Sequence, residues 1–152
     1  LAVKLPHLSA WSAARRKNAD TYNRLFVEAG LSTGVGVQSY SSGDRVLTPT
    51  AVYADAGHAD HHIFNQYVLR SQRRDDLKNW LDSKGIGTAV YYPVPFHQQE
   101  CFAELGYSIG DFPHAERAAQ EVLALPIYPE LANEQIEYVV QTIADFFQKE
   151  PE

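Results

Sequence analysis

Apolar residues recur at helical spacing over 9–29, where Trp11, Ala14, Tyr22, Leu25, Phe26 and Ala29 are separated by Arg15, Arg16, Lys17, Asp20 and Glu28. Ser9 is a candidate cap, because its hydroxyl can accept an orphan backbone N–H, and Gly30 can end the helix in a left-handed conformation. The next thirty or so positions lose this periodicity. Gly30, Gly34, Gly36, Gly43 and Gly57 punctuate them, and one short strand is expected near 45–48, held to a sheet edge or ended by Pro49. From 62 to 70 (HIFNQYVLR) β-branched and aromatic residues predict a strand. A helix is predicted over 73–84, with Asp75 and Asp76 in its first turn, Lys84 in its last, Leu77, Trp80 and Leu81 on its buried face, and Gly85 as its stop. A second strand is predicted over 86–92 (IGTAVYY). A strand–helix–strand unit implies parallel strands, adjacent or with a third between them.

Pro93 and Pro95 force the chain out of the sheet as a stiff loop. A short helix is predicted over 98–104. Asp111 can cap a further helix that Pro113 opens, with Ala115, Ala118, Ala119 and Val122 as its small-residue face. Residues 125–129 read as extended. The last helix, capped by Asn133, would bury Ile136, Val139, Val140, Ile143 and Phe147.

Composition narrows the function classes. The 152 residues are 45% apolar and 21% charged, enough for one cored domain and too apolar for disorder. A net charge of −6 argues against nucleic acid as a partner, because phosphate contacts need an excess of Lys and Arg. The basic pair Arg73–Arg74 is followed at once by Asp75–Asp76, and Arg15–Arg16–Lys17 is expected on a solvated helix face. No apolar run approaches the ~20 residues that span a bilayer, so no membrane partner is expected. A single cysteine, Cys101, rules out an internal disulfide and suits a reducing, cytoplasmic setting. The sequence contains no Met, and its opening residues resemble mid-chain sequence, so a fragment is expected.

Local chemistry alone offers three candidate sites. Cys101 follows His97 by four residues, so a thiol–imidazole contact competes with the reading of a buried small residue. Asp55, His58, Asp60, His61 and His62 are possible metal ligands, against which stands a polar surface loop, since adjacent side chains on an extended segment point apart. The segment Tyr91–Tyr92–Pro93–Val94–Pro95–Phe96–His97 ends a strand in two phenols, a rigid turn and an imidazole. Such loops display binding residues, although the tyrosines could simply pack and His97 could cap the next helix.

Three long phrases add a resemblance. HHIFNQYVLRS, RRDDLKNWLDSKGIGTAVYYPVPFH and GYSIGDFPHAERAAQEVLALPIYPEL together resemble the DegT/DnrJ/EryC1/StrS family of sugar aminotransferases. Tyr91 stands where a His is common, and Ala124 where a Ser is usual. The opening VKLPHLSAWSAARRKNADTYNRLF resembles the helix that leaves the cofactor domain, and the likeness weakens over 33–60. The resemblance implies an α/β fold: the small carboxy-terminal domain of the aspartate-aminotransferase-like type I fold, a small mixed sheet covered by helices. On that basis 1–152 is a single domain, with 1–30 a linking helix and 62–149 the core.

The same resemblance implies pyridoxal 5'-phosphate (PLP) in the full-length enzyme, a nucleotide-linked keto-sugar substrate, glutamate as amino donor and a homodimer. It places the Schiff-base lysine in an amino-terminal domain. None of Lys4, Lys17, Lys78, Lys84 and Lys149 matches that position, so no catalytic or cofactor-binding residue is assigned, and the isolated chain is expected to be inactive and to bind no PLP. By position, His97 and Tyr92 are the expected substrate contacts. Arg70 is a further candidate for an anionic substrate group, against the alternative of a salt bridge with an aspartate. The missing domain is expected against an exposed apolar patch around Trp11, Tyr22 and Phe26. Two alternatives stand beside this reading. One is a free-standing regulatory or binding module with the same fold, which fits the name pleiotropic regulatory protein sometimes given to such chains. The other is a metal-dependent enzyme using the histidine cluster.

Overall fold

The first helix, α1, runs Leu8–Glu28 and continues a 3-10 turn at Leu5–His7. That turn contains Pro6 and is already right-handed, so helical conformation starts before Ser9, which sits inside α1 instead of capping it. At the other end Gly30 takes φ +67, and the N–H of Leu31 closes back on the Phe26 carbonyl at 3.0 Å. The computed structural model describes residues 2–34, 39–54, 57 and 61–149.

Two strands form the sheet: β1 (Tyr67–Arg70) and β2 (Val122–Leu125), antiparallel, with Tyr67 opposite Leu125 and Arg70 opposite Val122. Single bridges extend it on both sides, Leu47 to Arg70 and Ala89 to Ala124. The predicted strand 62–70 is thus shortened to its last four residues, and those at 45–48 and 86–92 reduce to one bridging residue each. Ala89 and β1 flank β2 and are both antiparallel to it, so they run in the same direction with a third strand between them. Between them lies α2 (Arg74–Ser83), ended at Gly85 with φ +74.

Helix α3 (Pro113–Glu121) passes directly into β2, so Val122 belongs to the strand. Asp111 does not cap α3; its Oδ2 instead accepts the Ser108 N–H at 2.8 Å and closes the preceding turn. Helix α4 (Asn133–Gln148) starts one residue past its cap, Ala132, whose N–H donates to Gln135 Oε1 at 3.0 Å. The predicted helix at 98–104 is a pair of 3-10 turns, Phe96–Gln98 and Glu100–Leu105.

The core lies on one face of the sheet. Direct antiparallel partners share a face, so Tyr67, Leu69, Leu123 and Leu125 all point to α1, α2 and α4. There they meet Tyr22, Phe26, Leu77, Leu81, Ile136 and Ile143, each fully buried. Each such side chain contributes roughly 1.5–3 kcal/mol by leaving water. Tyr22 and Tyr67 stack at 4.7 Å, and their hydroxyls donate to Pro126 O at 3.1 Å and Asn23 Oδ1 at 2.7 Å. Burial pushes both phenols well above their ordinary pKa, so both remain donors. Arg74, the second residue of the Arg73–Arg74 pair, is buried and donates from Nη1 to the carbonyls of Ala119 and Val122, both at 3.1 Å. It thereby ties α2 to the α3–β2 junction. No helix among the described residues is long and apolar enough to cross a membrane.

Candidate functional site

The other face of the sheet is unlike the first. Val68, Ala89, Val122 and Ala124 floor a cavity of about 320 Å³, with Ala115, Ala118 and Ala119 of α3 on one side and Tyr91, Tyr92, Val94, Pro95 and Phe96 on the other. The small-residue spacing of α3 therefore has a concrete result: alanines leave room that larger side chains would fill. A second cavity, of about 450 Å³, adjoins the first across Phe96 and Ala115 and is lined by His97, Phe102, Leu105, Tyr107 and Phe112. Aromatic rings frame both: Tyr92 to Phe96 at 6.4 Å, Phe96 to Phe102 at 6.0 Å, and Tyr107 to Phe112 at 5.0 Å, all edge-on. Tyr91, Tyr92, Phe96, Phe102, Tyr107, Ile109 and Phe112 are all exposed, making this an apolar surface larger than scattered single residues would give.

That surface corrects the expected position of the exposed patch. Tyr22 and Phe26 belong to the core, and Trp11 is half-buried. The apolar spacing on α1 cannot by itself distinguish a face that meets its own sheet from one that meets another domain.

The expected site residues take different positions. Tyr92 is 68% exposed and borders the first cavity. His97 borders the second, yet its side chain is only 6% exposed: Nε2 meets Glu116 Oε1 at 2.9 Å and the ring lies 4.9 Å from Phe112. The same Glu116 oxygen accepts the Gly110 N–H at 2.8 Å. That N–H, then His97, hold the Glu116 carboxyl below the usual carboxylate range despite some opposition from burial. Glu116 escaped the sequence reading. Its only signal was its place in the GDFPHAE phrase, because its partner lies 19 residues away.

Arg70 lies apart from the two cavity linings, and its guanidinium Nε donates to Glu121 Oε2 at 2.9 Å. The salt bridge is thus formed with a glutamate, not the aspartate expected. Tyr40 titrates beside this pair. Burial first, then the charge of Glu121, push its phenol up to about 12, with Arg70 partly offsetting them.

Neither reading of Cys101 fits. Its thiol is exposed and faces Gln99 Oε1 at 3.9 Å, while His97 is engaged by Glu116. The 3-10 geometry of 96–105 removes the one-turn alignment that an α-helix would have provided. Of the candidate metal ligands, Asp55, His58 and Asp60 lie outside the described residues. His62 Nδ1 accepts the Phe64 N–H at 2.9 Å, and the described residues contain no group of three or more His, Cys, Asp or Glu able to hold an ion.

The fold is that of an aminotransferase. It superposes on the crystal structure of DesV from S. venezuelae with a TM-score of 0.78 over 99% of this chain and 35% of that one, at 28% identity. Residues 1–144 match the DegT/DnrJ/EryC1/StrS aminotransferase family, and the chain belongs to it. Similar relatives include a protein of Geobacillus stearothermophilus called pleiotropic regulatory protein, 46% identical over 97% of this chain and 35% of its own length. Another is the UDP-N-acetyl-3-dehydro-alpha-D-glucosamine 3-aminotransferase of Acidithiobacillus ferrooxidans, 35% identical over 94% of this chain and 33% of its own length. The chain therefore spans about a third of the length of the curated relatives it matches.

Proposed function

We propose that this chain forms the substrate-side, carboxy-terminal domain of a PLP-dependent aminotransferase acting on a nucleotide-linked keto-sugar, with glutamate as amino donor and a homodimer as the working form. The observation that carries the reading is the pair of adjoining cavities built around the Tyr91–His97 loop, on the sheet face opposite the core. The relatives' printed names, which describe transfer to UDP- and dTDP-linked sugars, support the substrate class.

The linings do not fit the cofactor itself. Neither contains a lysine for a Schiff base or any Lys or Arg for a phosphate. Lys78 pairs with Asp82, and Lys84 and Lys149 both lie over the Trp80 ring, at 4.6 and 4.5 Å. PLP, which supplies the electron sink for amino transfer, is therefore assigned to the remainder of the enzyme. This chain's share is binding. The Tyr92 phenol and the His97 imidazole hydrogen-bond the sugar, the aromatic rim excludes water, and Arg70, held by Glu121, is the third candidate contact. The rim also packs against the amino-terminal domain where the substrate leaves it uncovered.

In the full-length enzyme, His97→Ala is expected to lower kcat/KM for the sugar about tenfold or more while the PLP absorbance is retained. Residues 1–152 incubated with PLP and borohydride are expected to form no adduct. Unchanged kinetics would remove His97 from the site, and a lysine adduct would overturn the assignment of PLP to another part of the enzyme.

A further inference from the structure

His97 is buried with one ring nitrogen, Nε2, held against a carboxylate. Its Nε2 faces a carboxylate that already accepts the Gly110 N–H. An ionised carboxylate only accepts, so Nε2 must carry the hydrogen. In the neutral ring this leaves Nδ1 as the lone acceptor. The turn that carries the Gly110 N–H is closed by its own hydrogen bonds. Gly110 sits at φ +99, a conformation that side chains rarely adopt, inside a turn closed by the Asp111 N–H on Ser108 O at 3.2 Å and by the Ser108 N–H on Asp111 Oδ2 at 2.8 Å. Glu116 itself stands in the first turn of α3, behind Pro113. Phe112 covers the imidazole.

We propose that Glu116 is a positioning residue of the substrate-side wall: it fixes His97 as the Nε2–H tautomer, so that Nδ1 accepts a hydrogen bond from a hydroxyl of the sugar in the cavity that His97 and Phe112 line. The inference rests on the reading of His97 as a substrate contact. Carboxylates that orient a functional imidazole through its far nitrogen are a general device, and here the carboxylate is oriented in turn by the Gly110 N–H.

The test has two readouts in the full-length enzyme. Long-range 1H–15N correlation spectra of histidine-labelled protein at alkaline pH, with His97 assigned by its loss in His97→Ala, are expected to show the Nε2–H form. In Glu116→Leu, which has no acceptor, that preference is lost, and KM for the sugar rises about tenfold with little change in kcat. Adding Glu116→Leu to His97→Ala produces no further loss. An Nδ1–H form in the unsubstituted enzyme overturns the proposal. So does normal kinetics for Glu116→Leu where His97→Ala is impaired, or a loss that adds to that of His97→Ala. If His97→Ala is itself without effect, the substrate reading has failed, and the proposal falls with it even where the tautomer is as expected. Because the tautomer is read in the unsubstituted enzyme, poor folding of Glu116→Leu leaves that first outcome intact.

Discussion

The two faces of one small sheet follow opposite designs. Toward α1, α2 and α4, β1 and β2 present Tyr67, Leu69, Leu123 and Leu125, all buried against tyrosine, phenylalanine and leucine. Toward α3 the same strands present Val68, Val122 and Ala124 beside alanines, and space remains. Large aromatics are present on that side too, but at the rim of the cavities, where they stay open to solvent. Packing two opposing layers of large side chains stabilises a domain; pairing a floor of small ones with an aromatic rim leaves a place for something else to bind. The comparison separates a face built for stability from one built for recognition within four residues of strand.

The largest test of that separation is Phe26→Ala, on the stability face. Deleting a fully buried ring is expected to cost about 3–5 kcal/mol, read as a shift in the urea midpoint. A loss below about 1 kcal/mol would mean that α1 is not part of the core. Next, Tyr67→Phe removes one oxygen and strands the buried Asn23 carbonyl, with an expected loss of about 1–3 kcal/mol. Calorimetry checks this, and no change would show that water takes the hydroxyl's place. Smallest is Ala118→Leu, on the α3 wall of the first cavity. Because that space opens to solvent, the change in stability is expected to stay within about 0.5 kcal/mol. Destabilisation beyond about 2 kcal/mol would show the space between α3 and the sheet to be closely packed, and the contrast between the faces would be lost.

Much of this architecture could be read along the chain. The spacing of Ile136, Val139, Val140 and Ile143 identified the buried stripe of α4, and that of Ala115, Ala118 and Ala119 the small face of α3. Gly30 and Gly85 marked helix ends, because only glycine takes positive φ there without strain. The Tyr91–His97 loop was legible for a related reason: two prolines end a ladder whatever surrounds them. Strand length was not legible. His62, Ile63 and Phe64 have strand-like character, yet the ladder begins at Tyr67, since a strand reaches only as far as a partner lies beside it.

What the sequence determined by itself was local: which segments turn into helices, where they stop, where the chain must leave the sheet, and the family phrases that survive in order. Tertiary structure alone decided the partners. It set Glu116 against His97, Glu121 against Arg70 and Arg74 beneath the α3–β2 junction, and it chose which aromatics became core and which became rim. The physical reason is range. Helix periodicity and proline sterics act over a few bonds, whereas a carboxylate and an imidazole 19 residues apart meet only once a glycine turn and a helix have been folded onto the same loop.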